Sequence, residues 1–270
     1  MSSYTITSGI LTAVIDEHAA EMHSLKRLDN NDEMLWQGDP AYWTGRNPTL
    51  FPMVGSTWDN EIHIGGQTYH MGNHGFARHS DFTCTEHDDT HVVMELRDSE
   101  DTLAQYPFHF ILRNTYSIKD NILSVSCTVT NTNEVTMPFN FGFHPAFNVP
   151  LSKDAKAEDT RILFNQPQKI KGAMTTSMPL YRDLLAATII LERPRSTEFT
   201  QTDGIRSLTV TAPDFPWVAF WSPKAPFVCI EPWHSHTDFG PVSFPFEQRE
   251  GTLLLEPGKT FTTGYTITVD

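Results

Sequence analysis

The sequence contains no apolar run approaching the roughly 20 residues that a membrane-spanning helix needs. It opens Met1-Ser2-Ser3-Tyr4-Thr5-Ile6, without a basic region leading into an apolar stretch, so no secretory signal is expected. Its three cysteines, Cys84, Cys127 and Cys229, are widely spaced and form no C-x-x-C, which removes the usual zinc and redox motifs. Each lies in an apolar or alternating run, so all three are expected as small buried hydrophobes in a reducing cytoplasm. Positive charge is scarce: 19 basic residues stand against 33 acidic ones, a formal net charge of -14. Nucleic acids and anionic membranes are bound mainly through Lys and Arg, so neither is an expected partner. There is no G-x-S-x-G, G-x-x-x-x-G-K or G-x-G-x-x-G, which leaves serine-hydrolase and nucleotide-cofactor chemistry without support. No linker-like tract and no repeat of 20–50 residues interrupts the chain, so residues 1–270 are read as one domain.

What the sequence does have is a period of two. Phe261, Thr263, Tyr265, Ile267 and Val269 fall on one face of an extended segment, with Thr262, Gly264, Thr266 and Thr268 on the other. Leu123, Val125, Cys127 and Val129 alternate with Ser124, Ser126, Thr128 and Thr130, after a turn at Asp120-Asn121. Gly65-Gly66 between Ile62–Ile64 and Gln67–Tyr69 reads as a tight hairpin. Further strands are expected at 4–6, 11–15, 22–28, 81–86, 91–96, 108–116, 139–143, 207–211, 218–221 and 227–231. Many short strands and little helix indicate an all-β sandwich or barrel. A short capped turn is expected at 101–106, stopped by Pro107, and 180–190 is open between helix and strand.

Four constellations offer chemistry. An aromatic strand delivers His144 to Pro145, which lacks an amide donor and ends the ladder at a sheet rim. A histidine there either caps the core or serves a site. In Phe227-Val228-Cys229-Ile230-Glu231-Pro232-Trp233, a carboxylate closes an apolar run before a second proline. Glu231 shares a face with Phe227 and Cys229, which is unfavourable unless the carboxylate is paired or functional. Burial would raise its pKa toward that of a general base working near neutral pH. Trp233 adds a flat aromatic surface of the kind sugars stack on. The loop Gly72-Asn73-His74-Gly75-Phe76-Ala77-Arg78-His79-Ser80-Asp81 carries many polar donors and little to pack, as ligand-binding loops do. Arg78 there either binds ligand or pairs with Asp81, and Thr44-Gly45-Arg46-Asn47-Pro48 is a second polar loop with arginine. His234, His236 and Asp238 lie on one side of an extended chain, but a lone H-x-H is a weak ligand set and no metal is expected.

At these residues the chain resembles the aldose 1-epimerase (mutarotase) family, in its short bacterial branch associated with sugar-utilisation operons. The resemblance rests on Gly45-Arg46-Asn47-Pro48 with Leu50-Phe51-Pro52, Asn73-His74-Gly75-Phe76-Ala77-Arg78, Gly142-Phe143-His144-Pro145 and Ile230-Glu231-Pro232-Trp233, in that order. It implies a large antiparallel β-sandwich, the galactose mutarotase-like supersandwich, with sugar in an open concave cleft. It implies an isomerase that interconverts the α and β anomers of a hexose without a cofactor. His144 corresponds to the general acid and Glu231 to the general base, on opposite sides of the sugar. His74 and Arg46 resemble substrate binders, and Asn73, Arg78 and Trp233 join them as expected contacts. A substrate-binding aspartate falls to Asp183 or Asp203. The expected partner is a monosaccharide, and oligomeric state leaves no signature. A hexose 6-phosphate held by Arg46 and Arg78 is one alternative, and a non-catalytic sugar-binding module on the same fold is another. Free hexose is favoured, because Asp81 so close to Arg78 would neutralise it.

Overall fold

Strict alternation of apolar and polar residues commits one face of a strand to the core, and the longest strands obey it. In Phe110–Lys119 and Ile122–Asn131 every second side chain is buried. The two pair in register around Asp120, which takes a φ of 51°. Thr260–Val269 pairs with Ile122–Asn131 on its other edge, Tyr265 opposite Val125. The computed structural model describes residues 2–180 and 187–270.

These strands are the middle of a nine-stranded antiparallel sheet. Its order is Ala173–Pro179, Arg161–Ile170, Glu198–Thr202, Ser207–Thr211, Thr260–Val269, Ile122–Asn131, Phe110–Lys119, His91–Arg97 and Thr83–His87. A second, six-stranded sheet runs Ile189–Glu192, Trp217–Trp221, Phe227–Trp233, Gly142–Phe143 and Thr49–Leu50, with Ala146–Asn148 also paired to Phe227–Trp233. Ser3–Thr7, Leu11–Asp16 and Met22–Arg27 form a three-stranded sheet. The fold is an all-β antiparallel sandwich with very little helix. One apolar core joins residues from Ile6 to Val269, including Phe143 and Phe220 of the second sheet.

The Gly65-Gly66 hairpin forms as expected, between Glu61–Ile64 and Gln67–His70. The turn before Pro107 is a helix, Glu100–Gln105, closed at its start by reciprocal bonds between Ser99 and Thr102. The expected strand 139–143 divides. Met137–Phe139 pairs with Leu253–Leu255, whereas Gly142–Phe143 joins the six-stranded sheet. Between them the Asn140 amide turns aside to the Pro52 carbonyl, 2.8 Å away. Of the three cysteines, Cys127 and Cys229 are buried and Cys84 is only half-buried, since it sits near the sheet edge. Of the ambiguous segment 180–190, Ile189 and Ile190 begin the strand Ile189–Glu192, and Asp183 lies outside the described residues.

Candidate active site

The strand Phe227–Trp233 is buried along its whole length. One neighbour, Trp217–Trp221, sets Ala219 opposite Glu231 and Trp221 opposite Cys229. The other neighbour is broken. Gly142 pairs with Trp233 and Ala146 pairs with Cys229, while His144 and Pro145 stand off the ladder between them. The Ile230 and His234 amides face this side, donating to the Pro145 and Phe141 carbonyls at 3.1 and 2.8 Å. Position 232 has the same parity, so the missing donor of Pro232 falls opposite the gap. Neither proline ends the sheet, as the sequence had suggested. The strand continues through Pro232 to Trp233, and the site lies in an interruption within a sheet rather than at its rim.

Into this gap point His144 and Glu231, with 5% and 1% of their surfaces exposed. His144 Nε2 lies 3.0 Å from Glu231 Oε2. The approach is close but not directed as a hydrogen bond, so Glu231 Oε2 and His144 Nδ1 both lack a hydrogen-bond partner among the described residues. Buried polar atoms are normally satisfied, so an orphaned carboxylate oxygen beside a cleft is a candidate ligand contact. Burial pushes the Glu231 carboxyl well above its ordinary range, and the nearby Trp233 indole only partly offsets this. Burial, then the neighbouring His74 and Arg78, push the His144 imidazole well down. Both shifts favour uncharged forms, so the pair holds one proton in total.

Aromatic rings wall the pair. Trp43 packs on His144 with centroids 4.9 Å apart, and Trp221 meets its edge at 5.8 Å. Trp233 lies across Gly142, where any Cβ would come within 2.7 Å of the indole. His74 stands perpendicular to His144, with centroids 5.3 Å apart. It adopts a φ of 65°, and Gly75 follows at 70° against the Phe51 carbonyl. The Gly55 amide donates to His74 Nδ1 at 3.0 Å, which leaves Nε2 to carry the ring proton. Desolvation, then Arg78, lowers the His74 pKa to about 3, so this ring is a neutral donor.

These side chains line a cleft of about 480 Å³ together with Asn73, Arg78, Thr237 and Phe239. That is within the range of small-ligand pockets, roughly 300–1,000 Å³. Arg78 sits on a short 3₁₀ turn, Ala77–His79, where burial lowers its pKa and the Glu21 carboxylate partly offsets this from a distance. Asp81 does not neutralise it, because its carboxylate pairs with His18 at 2.7 Å.

Of the expected residues, His144, Glu231, His74, Asn73, Arg78 and Trp233 all come together here, and Arg46 does not. The Arg46 guanidinium packs over Gly38 and donates to the Gln37 carbonyl at 2.9 Å. Glu21 holds its backbone by accepting the Arg46 and Asn47 amides at 2.6 and 2.8 Å. Asp203 is likewise outside the cleft, closing a turn through the Ile205 and Arg206 amides and bonding the Ser152 amide. His234 is a core residue between Phe215 and Phe261, with Nε2 at 2.9 Å from the Thr263 hydroxyl. His236 stacks on Phe239 and meets Trp217 edge-on. His144 and Glu231 are neighbours in this structure, with no side chain standing between them. Trp43, Trp221, Thr237 and Phe239 were not singled out from the sequence. Trp43 immediately precedes the Thr44–Pro48 loop, and Trp221 ends an apolar run much as Glu231 does, so a weak signal existed for both.

The fold is thus an all-β sandwich that holds a buried carboxylate–imidazole pair in an aromatic cleft. The sequence model of the aldose 1-epimerase family matches residues 2–268, and the chain belongs to that family. It is therefore an isomerase of the epimerase type. Protein LacX of Lactococcus lactis is 30% identical over 253 residues, covering 83% of this chain and 84% of that protein. The structure of a galactose mutarotase related enzyme from Lactobacillus acidophilus superposes with a TM-score of 0.92 at 31% identity, covering 100% of this chain and 97% of that one. A galactose mutarotase-like protein from Lactobacillus casei gives 0.93 at 31%, with 100% of both chains covered. Among the described residues, no helix is long and apolar enough to cross a membrane.

Proposed function

We propose that the protein equilibrates the α and β anomers of a free or phosphorylated aldohexose by general acid–base ring opening and closure. Glu231 takes the proton of the anomeric hydroxyl while His144 protonates the ring oxygen. The C1–O5 bond breaks, the open aldehyde turns about C1–C2, and the ring recloses with the two roles reversed. The observation that carries this reading is the unpartnered His144–Glu231 pair, 3.0 Å apart and buried at the floor of the cleft. The two oxygens that exchange protons share one carbon, so the acid and base that serve them must themselves be neighbours. The ionised pair and the neutral pair hold the same single proton. Opening and closing therefore move a proton through the sugar without drawing one from solvent. His74 offers its Nε2 proton to a hydroxyl, and Trp233 and Trp43 offer faces to the ring. The test is polarimetric equilibration of freshly dissolved α anomers of galactose, glucose and their 6-phosphates. Acceleration of none of them by the purified protein would overturn the reading and leave a sugar-binding module.

The phosphorylated substrate is favoured by one observation, the Arg78 guanidinium on the cleft wall. The argument for free hexose rested on Asp81, which is turned to His18 instead. A charged hydrogen bond is worth about 1.5–3 kcal/mol. Arg78→Ala should then raise the Michaelis constant for glucose 6-phosphate by roughly 10–150-fold and leave that for glucose unchanged. Equal effects on both sugars would return the choice to free hexose.

A further inference from the structure

Beside the catalytic pair lies a thiol that the proposed reaction does not use. Cys229 precedes Glu231 by two positions on the same face of the strand Phe227–Trp233. His144, Cys229 and Glu231 each offer one ligand atom, all within 4.8 Å of one another and all buried. It is the one cluster of three such groups close enough to share an ion among the described residues. We propose that His144 Nε2, Cys229 Sγ and Glu231 form an inhibitory zinc site, which takes a soft divalent cation in place of the catalytic proton.

The donor set selects the metal. Imidazole, thiolate and a single carboxylate suit Zn²⁺ and its neighbours in the first transition row, whereas Mg²⁺ and Ca²⁺ call for oxygen ligands. The geometry is near what zinc requires. Two ligands bound at about 2.0–2.1 Å in a tetrahedron lie about 3.3 Å apart. Nε2 and Oε2 are 3.0 Å apart, so this edge of the tetrahedron is almost formed. The two edges to sulfur each span about 3.5 Å at the usual Zn–S length of about 2.3 Å, against a present upper bound of 4.8 Å. Three protein ligands leave the fourth position open toward the cleft. Glu231 Oε2, without a hydrogen-bond partner, has nothing to give up on binding.

The charges balance. One Zn²⁺ enters, and two protons leave: one from the Cys229 thiol and one shared by His144 and Glu231. A thiolate, a carboxylate and a neutral imidazole then neutralise the ion. No oxidation is involved. The bound ion occupies both groups the sugar needs, so it competes with substrate.

The test starts from protein dialysed against EDTA, which should be fully active. Calorimetric titration should show one Zn²⁺ per chain, and mutarotation should fall in step with occupancy. Cobalt added to the wild type should give a near-ultraviolet thiolate-to-metal charge-transfer band. Cys229→Ala should abolish that band and weaken zinc binding at least about 10-fold, the scale on which even outer partners of a metal site act. Its mutarotation in EDTA should stay within about twofold of wild type, because Cys229 does not line the cleft. Cys229→Ser serves if the alanine variant does not fold. A cobalt complex with no thiolate band would overturn the site. So would zinc affinity untouched by loss of the thiol, which would place the ion elsewhere, for example at His236 and Glu250. The inhibition arm rests on the mutarotase reading, but the spectrum and the titration do not, so the two can fail separately.

Discussion

Glu231 and His144 place ionisable groups where water cannot solvate them, and neither is compensated by a directed hydrogen bond. Such an arrangement lowers stability whatever the groups do, so a function is the natural reason for keeping it. Glu231→Gln and His144→Ala should each slow mutarotation by at least about 100-fold, the usual scale for one acid–base group. Polarimetry at saturating sugar checks this, and near-normal turnover in either variant contradicts the assignment. The sequence drew notice to both as polar side chains closing apolar runs beside a proline, which left a core or rim role open for each, and their acid and base roles came from the family resemblance. The arginines were not legible. Chain proximity paired Arg78 with Asp81, but the 3₁₀ turn between them directs the two side chains to different partners. Arg46 sits in a loop that looks like a binding loop, and only the fold reveals that the Gln37 carbonyl takes its guanidinium.

At the scale of elements, the site depends on the chain leaving a ladder and rejoining it, at 143–146 and again at the turn through His74. Gly75 is in the left-handed region, and a Cβ there would meet the Phe51 carbonyl oxygen at 2.3 Å. Gly75→Ala should cost about 1–2 kcal/mol for the backbone conformation alone, with the clash adding to it. Urea unfolding should show a lowered midpoint, and the displaced His74 should raise the Michaelis constant for sugar. A variant with wild-type midpoint and kinetics would mean the turn carries no strain. Strands with strict alternation, such as Ser207–Thr211 and Thr260–Val269, were legible from one period of two. Arg161–Ile170 was not, since Pro167 and a register shift between Leu163 and Gln168 erase the alternation. Residues 139–143 read as one strand because Phe139, Phe141 and Phe143 alternate with Asn140 and Gly142, and that unbroken period does not show where the pairing changes partner.

For the whole molecule, buried histidines set the response to acid. His234 is held at a pKa of about 4 and His74 at about 3, both by desolvation, against an ordinary 6.5. Below 6.5 the unfolded chain takes up these protons and the folded chain does not. Stability is therefore complete above that value and is lost as pH falls toward 4. Each histidine contributes a slope of about 1.4 kcal/mol per pH unit. In this window the His144–Glu231 pair holds one proton in the folded and in the unfolded chain, so its opposed shifts offset. The urea midpoint should fall between about pH 6.5 and about pH 5, and His234→Gln should remove roughly half of that slope. A midpoint flat across the window would show that these rings are hydrated and able to charge.

The groups that meet at the cleft come from positions 43, 74, 78, 144, 221 and 231, so segments far apart in sequence must meet before it exists. The sheets that hold them also close the chain on itself, with the Arg27 guanidinium donating to the Val269 carbonyl and the Tyr265 hydroxyl to Asn47. Contacts this remote in sequence form late and slowly, because loop closure must precede any gain from pairing. A cleft drawn from positions 43 to 231 has no precursor in any short segment. During refolding from urea, catalysis should return with the slowest phase seen in tryptophan fluorescence, after most of the strand signal is back. A stopped-flow experiment that found turnover in the early collapsed species would mean that a fragment of this sandwich can already assemble the pair.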